Sequence, residues 1–238
     1  MASIQAHRQG DVLTVVFSRP EAANAFSLDD AESLREILRL NKSAKVLIWR
    51  SAGGRFFCAG GDLAAYARLT TKAQGFQINK KISLALADLA KFPGVTLAIV
   101  EGDCFGGGVE LLSCFDMVWS VPHAAFGLWQ RRIGLSFGWG GGQRLAARLG
   151  QGRLRERALS GDSFTAFKAS EFNLVDKILT PERIETELQR FCAHQLELAR
   201  EPIVALKATN PRSEAAWFRR LWGNKSHLKA LKPFRRVP

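Results

Sequence analysis

Cysteine, histidine and tyrosine are scarce in this chain of 238 residues, and no long apolar run interrupts it. The four cysteines, Cys58, Cys104, Cys114 and Cys192, stand far apart, with no CxxC pair and no histidine in ligand register. Neither a disulfide framework nor a metal site is expected; reduced thiols in apolar surroundings are. No stretch approaches the roughly 18–20 apolar residues of a membrane span. Residues 1–11 are polar and lack the apolar segment of roughly 7–15 residues that a signal peptide requires. The expectation is a cytoplasmic protein with no membrane partner. Internal repeats, low-complexity tracts and Pro/Ser-rich linkers are missing as well.

What remains has an ordinary globular composition, 47% hydrophobic and 24% charged. At about 150 residues per domain the length calls for one main domain with an appendage. The charge is less ordinary. Lysine and arginine number 34 against 22 acidic residues, a net +12. From Arg200 onward ten basic residues (Arg200, Lys207, Arg212, Arg219, Arg220, Lys225, Lys229, Lys232, Arg235, Arg236) face only Glu201 and Glu214. A basic field favours an anionic partner, whether nucleic acid, anionic lipid or a phosphate-bearing small ligand, although a solvated face kept for solubility explains it equally well.

Apolar β-branched runs predict strands at Val12–Phe17, 45–49, Val95–Val100 and 117–121. Ser27 reads as an N-cap, with Asp29 and Asp30 favouring the positive end of a helix that continues through Leu28, Ala31, Leu34 and Leu38. Residues 55–63 read as a loop and 64–91 as a polar helical stretch. Gly106, Gly107 and Gly108 open an apolar helix, and the glycine-rich stretch 138–142 precedes another over 143–149. From Pro181 the pattern is helical to near the end. Strands alternating with helices, followed by a helical tail, give an α/β class with any boundary near residue 180.

The segment with chemistry in it is 95–115. Glycines after a strand let the backbone turn sharply, and the helix they open offers unpaired N–H groups to a negative or developing negative charge. A dinucleotide fingerprint is excluded because the spacing is GxxxGGG, and a phosphate loop because no Lys-Ser/Thr pair follows. Glu110 is a carboxylate in the first turn of that helix, among Leu111, Leu112 and Phe115. On its own it reads rather as a surface residue complementing the dipole. A second glycine loop, FFCAGGDL at 56–63, changes the balance. Two such loops, each leaving a strand, can aim two backbone N–H groups at one carbonyl oxygen, the geometry of an oxyanion hole.

The ordered series RPEAANAFS (19–27), FFCAGGDL (56–63), VEGDCFGGGVELLSCFD (100–116), AFGLWQRRIGLSFGWGGGQRL (125–145) and LSGDSFTAFKASEFNLVDKIL (159–179) resembles the crotonase (enoyl-CoA hydratase/isomerase) superfamily over about residues 10–180. The resemblance implies a ββα spiral core, residues 1–180, that binds acyl-CoA, and a C-terminal helical segment, 181–238, that builds homotrimers or hexamers. It implies acyl-coenzyme A thioesters as substrates and no cofactor beyond the coenzyme A they carry. By position, the N–H groups of Gly61 and Gly107 would hold the thioester oxygen. Glu110 falls on the first of two glutamates used by the hydratases, and Gln130 occupies the place of the second. Trp129 stands where those enzymes have proline. Ala23, Ala25, Ala59, Gly60, Asp62, Leu63 and Gly106 match positions around the coenzyme A groove, and Lys225, Lys229 or Lys232 would meet its phosphates.

A glutamine hydrogen-bonds but does not shuttle protons at neutral pH. The expected enzyme therefore works with Glu110, partly desolvated, as its single acid/base, in hydratase or dehydratase chemistry. Isomerase, decarboxylase and thioester hydrolase reactions of the same superfamily are the alternatives. A protein that binds RNA through the basic tail, with Trp217, Phe218 and Trp222 as stacking platforms, is the alternative of a different class, and a nucleic-acid partner is not expected. His7, His123, His194 and His227 show no recognisable partners and are not expected to be catalytic.

Overall fold

The computed structural model describes residues 3–208 and 211–232. Arg235 and Arg236 of the basic tail, and the side chain of Arg212, lie outside the described residues. Ten strands and eleven α-helices follow in chain order among those described: β1 (Ile4–Gln9), β2 (Val12–Phe17), α1 (Leu28–Leu40), β3 (Val46–Ser51), β4 (Phe56–Cys58), α2 (Leu63–Tyr66), α3 (Lys72–Ala90), β5 (Val95–Val100), β6 (Asp103–Phe105), α4 (Gly107–Leu112), β7 (Met117–Ser120), β8 (Ala125–Gly127), α5 (Gly141–Leu149), α6 (Gln151–Ser160), β9 (Ser163–Thr165), α7 (Ala166–Glu171), β10 (Lys177–Ile178), α8 (Pro181–Glu197), α9 (Pro202–Lys207), α10 (Pro211–Leu221) and α11 (Lys225–Leu231).

Two sheets divide the strands. The larger runs β1-β2-β3-β5-β7-β10 and the smaller β4-β6-β8-β9. Apart from the antiparallel β1–β2 and β8–β9 pairs, every pairing is parallel. This explains why β3 and β5 read as unbroken apolar runs: parallel strands are covered on both faces. Their side chains from Val46 to Trp49 and from Leu97 to Val100 are all buried. The chain repeats one unit three times: a strand in the large sheet, a short strand in the small sheet, then a helix. β3-β4-α3, β5-β6-α4 and β7-β8-α5 are those turns. Because β4, β6 and β8 are parallel neighbours, their C-terminal ends open on the same side.

Residues 55–63 were expected to be a loop, yet Phe56–Cys58 pair with Asp103–Phe105 as β4. Three residues are too few for a periodicity to register, and β6, β8 and β9 are equally short. The helical stretch 64–91 is broken at 67–71, where Thr71 starts α3 with a capping box to Gln74. β1 was unexpected because five of its six side chains are at least partly solvated; only Ile4 is buried.

Asp30 does more than complement the α1 dipole. Its carboxylate is fully buried, accepts from the Ser27 N–H and hydroxyl as half of a capping box, and accepts from the Ser3 N–H and hydroxyl. The strand start and the helix start are thereby tied to one group. An aromatic chain crosses the core from Phe115 through Trp49 and Phe17 to Phe26, which meets Trp139 at 5.7 Å between ring centroids. After Pro181 the described residues are mostly helical. α8 lies against β3 and β7 through the Arg50–Glu185 ion pair and the Trp119–Phe191 ring contact. No helix among the described residues is long and apolar enough to cross a membrane.

Candidate active site

The C-terminal ends of β4, β6 and β8 each contribute to one cavity of about 550 Å³, lined among others by Gly61, Gly107, Glu110 and Gln130. After β4, residues 59–62 run beside Phe26. The Phe26 N–H donates to Gly60 O at 2.8 Å and the Asp62 N–H to Phe26 O at 3.2 Å. Since successive residues of an extended chain face opposite ways, the N–H of Gly61 points away from Phe26. Gly60 has φ +106°, and a methyl group there would stand 3.1 Å from the Gly107 nitrogen and 3.1 Å from Phe105 O. Only glycine lets this loop sit directly on the start of α4. Gly107 is the first residue of α4, where a helix leaves its N–H groups without internal acceptors.

Around this loop the remaining expected positions form a brace. The Ala59 N–H donates to Ala23 O at 3.0 Å. The buried Asn24, overlooked in the sequence, gives its amide to Ala52 O and Phe56 O. Arg19 bridges Ala25 O at 2.7 Å and the Asp62 carboxylate at 2.9 Å. Asp62 also caps α2 by accepting the Ala65 N–H at 3.0 Å. That backbone bond first, and then Arg19, hold its carboxyl below the ordinary aspartate range. Leu63 is exposed and lines the cavity, while Gly106 caps α4 and ties its N–H to Gly127 O at 2.8 Å.

Glu110 is 2% exposed. Its Oε1 accepts the Gln130 side-chain amide at 3.0 Å and the Gly138 N–H at 3.4 Å. Its Oε2 accepts the N–H groups of Trp139 and Gly141, each at 3.0 Å. Gly141 is the first residue of α5, so a second helix start is aimed at this carboxylate. A methyl group on Gly141 would meet the Glu110 Cγ at 2.5 Å, which is why the approach requires glycine. The glycine-rich segment 138–142, legible in the sequence only as a helix opening, is thus the cradle of Glu110.

Gln130 begins a single 3-10 turn, Gln130–Ile133, after β8. Trp129 fixes that turn by stacking on Phe105 at 3.8 Å, with the Arg132 guanidinium 4.5 Å from its ring. The amide end of Gln130 is spent on Glu110, and its buried Oε1 has no hydrogen-bond partner among the described residues. Further lining residues not evident from the sequence include Tyr66, Asn79 and Trp139. Trp139 is anchored by Phe26 and by its indole N–H on Asn79 Oδ1 at 3.1 Å. No sequence pattern connects them, and the glycines flanking Trp139 are the only local signal.

Elsewhere, Cys58 and Cys114 are buried thiols, pushed up by desolvation to about 12 and about 11. None of the four histidines lines the cavity. His227 does have partners, contrary to expectation: its Nδ1 accepts the Gly223 N–H at 2.8 Å and its ring packs on Trp222. Lys225 and Lys229 lie on α11 with Lys232 just after it, and none of them lines this cavity.

Comparison with known proteins follows the same line. A family model described as enoyl-CoA hydratase/isomerase matches residues 7–217. The putative enoyl-CoA hydratase/isomerase YngF of Bacillus subtilis (strain 168) is 31% identical over 173 residues, 70% of this chain and 65% of that protein. The chain thus spans just under two thirds of that relative's length. The carnitinyl-CoA dehydratase of Proteus mirabilis (strain HI4320) is 29% identical over 209 residues, 86% of this chain and 78% of that protein. In fold, the chain matches a crystal structure of enoyl-CoA hydratase from Bacillus anthracis with a TM-score of 0.89 at 23% identity, covering 98% and 96% of the two chains.

Proposed function

This chain belongs to the enoyl-CoA hydratase/isomerase family, and from that premise we propose that it is an acyl-CoA-processing enzyme that adds water to, or removes it from, an acyl thioester. The observation that carries this reading is the buried Glu110 carboxylate in one cavity with the backbone of Gly61 and Gly107. The two N–H groups hold the thioester oxygen and stabilise the negative charge it gains as an enolate. Losing one such donor typically costs about 3–4 kcal/mol of transition-state stabilisation.

In the hydration direction, Glu110 takes a proton from water as the water oxygen bonds to Cβ. The electron pair of the double bond moves onto the thioester oxygen. Glu110 then returns its proton to Cα as the enolate collapses, so one carboxylate serves both transfers. Gln130 keeps Glu110 oriented through its amide, and its unpartnered Oε1 is an acceptor for the second hydrogen of the water. Elimination of water runs the same steps backward. Coenzyme A enters and leaves with the acyl group, and no other cofactor is invoked.

The C-terminal helices are assigned to assembly of copies of the chain, as trimers or hexamers. Phe218 and Trp222 are exposed but pack on each other at 5.4 Å, and Trp222 on His227 at 4.7 Å. That clustering suits an interface better than separate platforms for RNA bases. The test of the functional reading is a panel of acyl-CoA thioesters followed by mass spectrometry. Enoyl thioesters are expected to gain one water, or 3-hydroxyacyl thioesters to lose one; no change with any of them overturns it.

A further inference from the structure

Tyr66 is the only tyrosine of the chain, and its hydroxyl is placed where a polar group has no structural use. It closes the short helix α2 directly after the 59–62 loop, and its ring turns back over that loop. A methyl group on Gly61 would lie 3.0 Å from the Tyr66 Oη and 3.1 Å from two ring carbons, so the phenol stands against Gly61 itself. The Oη is buried beside the Trp139 indole, and its O–H has no acceptor among the described residues. The neighbouring indole N–H of Trp139 is spent on Asn79. An orphaned buried hydroxyl is costly unless a ligand supplies the missing partner. Tyr66 lines the same cavity as Gly61, Gly107 and Glu110.

Resting on the functional reading above, we propose that Tyr66 is a third catalytic hydrogen-bond donor, its O–H joining the N–H groups of Gly61 and Gly107 on the oxygen of the acyl thioester. The two amides come from backbone that every residue type shares, whereas the phenol is a side chain that a single substitution removes. Burial pushes its pKa up, outweighing the opposite pull of the Trp139 indole N–H, so the group stays protonated and remains a donor through the neutral and mildly alkaline range. The Glu110 charge in the same cavity acts in the same direction. The donor also fills the space beside Gly61, which keeps water from solvating the developing enolate.

Tyr66→Phe keeps the ring against Gly61 and deletes only the O–H. Crotonyl-CoA hydration is expected to lose on the order of 10²-fold in kcat, the low end for an oxyanion donor, with KM changed far less. Bound 4-(dimethylamino)cinnamoyl-CoA, whose absorption moves to longer wavelength as its carbonyl is polarised, is expected to shift less in the variant than in the wild type. Because the chain has one tyrosine, growth on 3-fluorotyrosine labels this position alone and leaves the fold intact. Its fluorine resonance is expected to move when the same thioester binds. Wild-type kcat together with an undiminished absorption shift in Tyr66→Phe overturns the proposal, as does a fluorine signal indifferent to bound thioester. A wild-type protein that neither binds nor hydrates any enoyl thioester overturns the functional reading instead.

Discussion

The side-chain amide of Gln130 donates to the Glu110 carboxylate across 3.0 Å, so the two residues form a charged acceptor and a neutral donor in contact. A neutral partner lets Glu110 keep four N–H donors without meeting a like charge. Glu110 is thereby left as the only carboxylate among the residues lining the cavity.

Replacing that group is the most direct experiment. In Glu110→Gln one carboxylate oxygen becomes an NH2 that faces N–H donors. Hydration of crotonyl-CoA is expected to fall by roughly 10²–10⁴-fold, the usual contribution of a positioned acid/base. Stability is expected to drop by about 1–3 kcal/mol from the donors left without an acceptor. Steady-state kinetics and urea titration measure the two losses separately, and undiminished activity removes Glu110 from the mechanism.

Gln130→Glu installs a second carboxyl group beside the first. Two such groups at this distance share one proton, because they cannot both ionise freely. Crotonyl-CoA hydration is expected to rise, with a pH-rate profile that gains a second titration. A variant with an unaltered rate and profile argues that residue 130 does not face the reacting atoms.

Gly141→Ala tests the cradle without replacing any side chain of the site. The added methyl group would meet Glu110 Cγ at 2.5 Å, so the carboxylate has to leave its place. Loss of about 1–3 kcal/mol of stability is expected from overpacking, together with a fall in kcat. Thermal melting and turnover are the measurements, and a variant that melts and turns over like the wild type contradicts the contact.

Asp62 supplies a pH dependence. Its folded-state pKa is depressed, first by the Ala65 N–H and then by Arg19, so its stabilising contribution is present above the ordinary aspartate value and is lost as the pH falls through the lower folded one. The gap in urea midpoint between wild type and Asp62→Asn is expected to be widest near neutral pH and to close below about pH 4. A gap that persists in acid shows that the carboxylate charge contributes nothing.

The long elements were legible because their physics is local. β2, β3, β5 and β7 are runs of β-branched and apolar residues, and Ser27 with Asp30 announces the start of α1. The small sheet was not, because β4, β6, β8 and β9 have three residues each and are defined by partners 20 or more residues away. The site divides in the same manner. Glu110 can be found from a carboxylate in the first turn of an apolar helix only once the second glycine loop at 56–63 and the resemblance are added, and Gln130 from the resemblance in the segment 125–145. The amides of Gly138, Trp139 and Gly141 that hold Glu110, and the Tyr66 hydroxyl beside Gly61, belong to stretches that meet only after folding.

The three short parallel strands have a consequence for how such a protein changes over time. Each ends in a tip anchored by its own strand and backed by its own helix: one carries Gly61, the next Gly107 and Glu110, the third Gln130. A replacement on one tip leaves the hydrogen-bond ladders behind the other two intact, so reactivity can drift piecemeal while the scaffold stays put. Diversification then proceeds by exchanging fingertips on an unmoved hand.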